Sequence, residues 1–106
     1  VTNVTYLNLP MALLGRWRAE WDNDDGRSEY HIFVRNGRLA VEAIDYVDRE
    51  AYVISNVVCD SKSVAFDTLM RSTGRKGHLV LELKSAGRVD LTFTFTDICA
   101  AVRSGD

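Results

Sequence analysis

The sequence predicts an all-β fold, an antiparallel up-and-down meander of about seven or eight strands closing into a barrel, and three features carry that expectation. From Gly15 onward apolar and polar side chains alternate with period two, turn residues recur about every eight to twelve positions, and the connections are too short for crossover helices. The 106 residues, 46% hydrophobic and 26% charged, suit one domain with one core. Residues 1–106 are therefore read as a single unit, with 1–12 as an N-terminal arm.

Pro10 is the sole proline. It separates a polar arm from Met11-Ala12-Leu13-Leu14, whose composition suits one helical turn or a strand lead-in. Trp17, Ala19 and Trp21 then share one face of a first strand, and Arg16, Arg18 and Glu20 the other. Asp22-Asn23-Asp24-Asp25-Gly26 reads as a tight polar turn. In the next strand Tyr30, Ile32 and Val34 oppose His31 and Phe33. Asn36-Gly37 is the strongest hairpin signal in the chain, because both residues tolerate the positive φ of a type I′ turn. It should pair residues 30–35 with 38–44, whose Leu39, Val41 and Ala43 face one side.

A polar corner at residues 46–50 leads to Tyr52, Ile54 and Val58. Val53 and Val57 are apolar on the opposite face, so this strand is either buried on both sides or bulged near Asn56. Asp60-Ser61-Lys62-Ser63 reads as a turn, residues 64–70 as a strand, and 71–77 as a flexible basic loop. Leu79, Leu81 and Leu83 alternate with polar neighbours, Ser85-Ala86-Gly87 turns the chain, and Val89, Leu91, Phe93 and Phe95 alternate with Asp90, Thr92, Thr94 and Thr96 in the clearest β pattern of all. Residues 98–103 suit a last short strand. A meander of this kind leaves two unpaired edges unless it closes, which favours a barrel. About eight strands enclose either packed side chains or one small ligand. The volume of Trp17, Trp21, Tyr30, Phe66, Leu79, Leu81, Phe93 and Phe95 favours the packed interior.

Charge and composition remove several classes of function. Thirteen Lys and Arg against fifteen Asp and Glu give a net charge of -2, without the overall attraction to phosphate on which most nucleic-acid binders rely. No apolar run approaches the roughly 20 residues of a membrane-spanning helix. Cys59 and Cys99 stand in apolar surroundings, where a thiol behaves as a small core side chain, and nothing in their placement decides whether they pair. Low cysteine usage and the absence of a charged-then-apolar signal segment favour the cytoplasm, though a leader removed ahead of Val1 stays open.

At Leu13-Leu14-Gly15-Arg16-Trp17 the chain resembles the lipocalins and related calycin barrels, which open with Gly-X-Trp. The resemblance implies a meander barrel closed at one end by Trp17 stacked against a C-terminal arginine, here Arg103, with Gly15 entering the first strand. A guanidinium on an indole face plugs such an end while keeping its charge near solvent. In many relatives the barrel binds a small hydrophobic molecule.

Other chemistry is weakly signalled. His31 and His78, with Glu29 and Glu82 nearby, are a candidate metal or general-base pair, but neither histidine has metal-ligand spacing to another His or Cys. The acidic run ending at Gly26 puts Trp21 where a calcium loop needs its first ligand. Arg71, Arg75 and Lys76 around Ser72-Thr73-Gly74 suit an anionic headgroup at a barrel mouth, without phosphate-loop spacing. No nucleophile elbow occurs. The leading expectation is non-enzymatic binding of a small hydrophobic or amphipathic ligand, with Trp21, Tyr30, Phe66 and Phe93 lining the cavity, Arg71, Arg75 and Lys76 near the mouth, and no catalytic residue, metal or cofactor. The alternative is a structural or interaction module that forms a homodimer through a strand edge or sheet face, motivated by outward apolar residues such as Phe33, Val53, Val57 and Val80.

Overall fold

Alternation and turns in the sequence become seven antiparallel strands in a computed structural model, which describes residues 9–19 and 28–106. A 3₁₀ turn, Met11–Leu13, precedes β1 (Gly15–Arg18), followed by β2 (Ser28–Arg35), β3 (Arg38–Asp45), β4 (Val53–Cys59), β5 (Ser63–Met70), β6 (Arg75–Ser85) and β7 (Arg88–Thr96). The strands follow one another as an up-and-down meander in two sheets, β1-β2-β3 and β4-β5-β6-β7. Trp21 and the polar turn at residues 22–26 lie outside the described residues.

Local chemistry explains where the chain turns. Asn36 and Gly37 both take positive φ, 55° and 75°, and the type I′ geometry sets the register Arg35↔Arg38. Gly15 enters β1 at φ 129°, a backbone that a side-chain-bearing residue adopts only with strain. Asp45 closes β3 by accepting Val47 N–H at 2.9 Å and Asp48 N–H at 3.3 Å through Oδ1. In β4, Asn56 at φ 54° marks a bulge between Ser55 and Val58. The added residue reverses the alternation, so Val57 packs against the core and Val58 is exposed, the opposite of the assignment made from strict alternation.

One interior serves both sheets. Leu13, Tyr30, Ile32, Val41, Ala43, Val64, Phe66, Leu79 and Leu81 are buried in a single cluster, with Tyr30 and Phe66 tilted against each other at a ring separation of 5.7 Å. Gly77 lets three strands meet closely, since a Cβ there would sit 2.5 Å from Thr68 Oγ1 and 2.7 Å from the Phe95 ring. The sheets join on one side through the bridge Ile44↔Ala51 and the bond from Tyr52 N–H to the Ala43 carbonyl, 2.9 Å.

Neither sheet closes into a barrel, which corrects the expected closure. Strand parity supplies the reason. Seven strands of a meander leave β1 and β7 running in the same direction, so no antiparallel ladder can join them directly. The eighth strand expected over residues 98–103 does not form, because the chain beyond Thr96 has no regular structure. The basic loop expected over residues 71–77 is only a four-residue turn at 71–74, since Arg75, Lys76 and Gly77 belong to β6 and pair with Met70, Leu69 and Thr68 of β5. Cys59 and Cys99 are exposed and form no disulfide, so neither acts as a core side chain. Among the described residues no helix is long and apolar enough to cross a membrane.

Candidate functional site

Where β1 and β7 fail to meet, a cleft of about 280 Å³ opens between them, lined by Trp17, Arg18 and Ala19 from β1 and its exit, Leu81 from β6, and residues 87–91 and Phe93 around β7. Alternation on β7 points Val89, Leu91 and Phe93 inward, yet all three are only half-buried, and among the described residues β7 has a strand on one side alone. Trp17 forms the facing wall. Its indole is held in place by donating Nε1–H to the Leu13 carbonyl at 2.8 Å, so the short 3₁₀ turn before β1 positions the largest ring of the cleft.

Charges rim this apolar surface, and most are compensated. Arg18 donates Nε–H to Glu29 Oε2 at 3.1 Å and lies over the Tyr46 ring at 4.6 Å, while Arg16 approaches the same carboxylate at 3.5 Å. Asp90 pairs with Lys84 at 3.0 Å, a contact that raises the lysine above its ordinary value. Arg88 is exposed at the β6–β7 end. An amphipathic molecule would therefore find rings and aliphatic chains within and polar groups at the entrance.

The residues singled out in the sequence divide among several places. Phe93 lines the cleft, and Trp17 and Gly15 lie in or before its β1 wall. Tyr30 and Phe66 are packed in the core, 3% and 0% exposed, so neither offers a surface to a ligand; burial also raises the Tyr30 phenol well above its ordinary range. Arg71, Arg75 and Lys76 sit at the opposite end of β6 from the cleft, because Lys76 pairs with Thr96 whereas Leu81 pairs with Leu91. There Arg75 lies over the Phe95 ring at 4.3 Å and forms an ion pair with Asp97 at 3.2 Å. Arg103 is exposed in the irregular C-terminal segment, and the Trp17 indole bonds to Leu13 instead.

Both histidines stand on outward sheet faces, and cross-strand register chooses partners other than Glu29 and Glu82. His78 Nδ1 lies 2.7 Å from Asp67 Oδ1, and Asn56 donates to the other carboxylate oxygen at 2.7 Å. Those contacts, the amide first, hold Asp67 below the usual carboxylate range. His31 stacks on Phe33 with 4.7 Å between centroids and has Glu42 at 3.5 Å across the ladder. Glu29 belongs to the two arginines of β1. Among the described residues no group of three or more His, Cys, Asp or Glu side chains is arranged to hold a metal ion.

Sequence reading missed Leu81, Val89 and Leu91 as cleft residues, although their alternation was visible; for the two on β7, what hid them was the expectation of a closed barrel, in which β7 would have a neighbour on each side. No family model, curated protein or solved structure matches this chain.

Proposed function

We propose that the protein is a non-enzymatic, lipocalin-like binding module that holds a small hydrophobic or amphipathic ligand in the open seam between β1 and β7. The reading rests on one observation: Val89, Leu91 and Phe93, only half-buried, face Trp17 across a cleft of about 280 Å³ to whose lining the core residue Leu81 also belongs. That volume falls just below the usual range of small-molecule sites, roughly 300–1,000 Å³, and the lining sets Trp17, Leu91 and Phe93 beside Arg18, Arg88 and Asp90, as an amphipathic ligand requires. The meander order and the Gly15-Arg16-Trp17 opening also support a calycin-like frame, here with one seam unsealed.

Trp17 reports directly on occupancy. In a Trp21→Phe background, titration with fatty acids and aromatic dyes should shift the Trp17 emission, and ligand at about 100 times its Kd should stabilise the fold by about 2.7 kcal/mol, a rise of several degrees in Tm. Leu91→Lys should remove both responses. A panel that leaves emission and Tm unchanged overturns the proposal.

A further inference from the structure

On its outward face the four-stranded sheet carries a second concavity, of about 480 Å³, with lining from all four strands. Register arranges the lining in two neighbouring cross-strand rows. From β4 to β7 one row runs Ser55, Asp67, His78, Thr94, and the other runs Val53, Leu69, Lys76, Thr96. Alternation gives these side chains to the face away from the core, because Ile54, Phe66, Leu79 and Phe93 beside them point inward.

The face changes character from one side to the other. Val53 and Leu69, on β4 and β5, are half-buried aliphatic chains, whereas Lys76, His78, Thr94 and Thr96, on β6 and β7, are exposed and polar. Those four stand at the corners of a rectangle. Lys76 is opposite Thr96 and His78 opposite Thr94, so the corners are about 5 Å apart across the strands and about 7 Å apart along them.

Charge within the lining is left unbalanced. Among the described residues Asp67 is its only carboxylate, and both oxygens are engaged, one by His78 Nδ1 at 2.7 Å and the other by the Asn56 amide at 2.7 Å. These contacts keep Asp67 ionised, so it accepts and Nδ1 carries the hydrogen. The ring is thereby fixed with Nε2 turned away from Asp67. Among the described residues the Lys76 ammonium and the Thr94 and Thr96 hydroxyls have no partner.

We infer that this face binds a small phosphate monoester, with the phosphoryl group held by Lys76, Thr94, Thr96 and His78 Nε2 and the organic part lying over Leu69 and Val53. A tetrahedral phosphoryl group brings three terminal oxygens to the four corners, while a carboxylate brings two in one plane and leaves part of the rectangle unused. Lys76 supplies the point charge that phosphate recognition commonly uses. Between Nε2 and a phosphate oxygen one shared proton suffices, and the bond forms whichever of the two carries it. The volume lies within the usual range of small-molecule sites, roughly 300–1,000 Å³. The β1–β7 cleft is not involved, since its Leu81, Leu91 and Phe93 are on the core side of the same sheet.

Titration with phenyl phosphate, followed through the His78 ring-proton NMR signals, should saturate. Benzoate and inorganic phosphate should each bind at least about 5-fold more weakly, the first for want of an oxygen and the second for want of apolar cover. Lys76→Ala should weaken phenyl phosphate at least about 10-fold, the loss of a charge-assisted hydrogen bond. Lys84→Ala, on the same strand and already paired with Asp90, should leave the affinity unchanged. Both lysines are exposed, so Tm should hardly move in either variant. A titration that does not saturate, equal losses in the two lysine variants, or benzoate binding as tightly as phenyl phosphate overturns the inference. Equal affinity for inorganic phosphate overturns the part given to Val53 and Leu69. Leu91→Lys should bind phenyl phosphate normally; loss of binding there would put the ester in the cleft, so failure of this site and failure of the cleft reading are told apart.

Discussion

β5 and β7 carry nearly the same inward pattern and meet different fates. Along β5, Val64, Phe66, Thr68 and Met70 are 0%, 0%, 4% and 7% exposed; along β7, Val89, Leu91, Phe93 and Phe95 are all only half-buried. The difference is not in the residues, since β7 is the more aromatic of the two. β5 has β4 and β6 on either side, and among the described residues β7 has β6 alone. Burial on a sheet face is supplied by neighbouring strands, so a strand's own alternation predicts which way its side chains point and leaves their coverage undecided.

Matched truncations give the largest expected contrast. Phe66→Ala should cost about 3–5 kcal/mol, the range for a large ring removed from a packed core. Phe93→Ala should cost about 1–2 kcal/mol, because its ring is only partly covered and packs against the core from one side. Urea unfolding of both variants checks this, and equal losses would mean that the seam is covered in solution. Gly77→Ala probes the tight meeting of β5, β6 and β7, where the added methyl would approach Thr68 Oγ1 and the Phe95 ring; a loss of about 1–3 kcal/mol by the same method is expected.

Trp17→Phe keeps the seam wall apolar but removes the indole bond to the Leu13 carbonyl, and should lower stability by about 1 kcal/mol while weakening any dye that quenches Trp21→Phe protein. The smallest effect belongs to the outward face. Asn56 and His78 hold Asp67 below the usual carboxylate range, so its stabilising contribution is complete above the unfolded carboxyl value, about 3.9, and is lost as pH falls through the lower folded value. Asp67→Asn should therefore flatten the acid limb of a Tm-against-pH curve and leave the neutral region nearly unchanged. An acid limb identical to that of the unaltered protein would mean that this carboxylate is not linked to folding.

Much of the fold was legible because its signals are local. The Asn36-Gly37 hairpin and the strands around it follow from φ preferences and from period two over a few residues, and the bulge near Asn56 and the single turn at 11–13 were each one of two alternatives that the sequence left open. Errors arose where a local pattern had no obligation to find a partner. Residues 98–103 alternate as a strand should and form none, and residues 75–77, read as loop for want of apolar side chains, pair because Met70 to Thr68 lie beside them. Of the residues expected to line a ligand site, only Phe93 lies in the cleft; Trp17, expected to close a barrel end, forms its facing wall. The cores of Tyr30 and Phe66 and the remote position of Arg71, Arg75 and Lys76 depend on strand order and register.

By itself the sequence determined an antiparallel all-β meander, where its hairpins turn, and which side of each regular strand is apolar, because those properties are set by backbone sterics and by the two-residue repeat of the pleat. Only the tertiary structure decided that the meander splits into two sheets, that β1 and β7 face each other unjoined, and which apolar side chains are left half-covered. Pairing and burial are relations between segments distant in the chain, and they are settled by strand count, parity and the direction in which the last segment leaves the sheet.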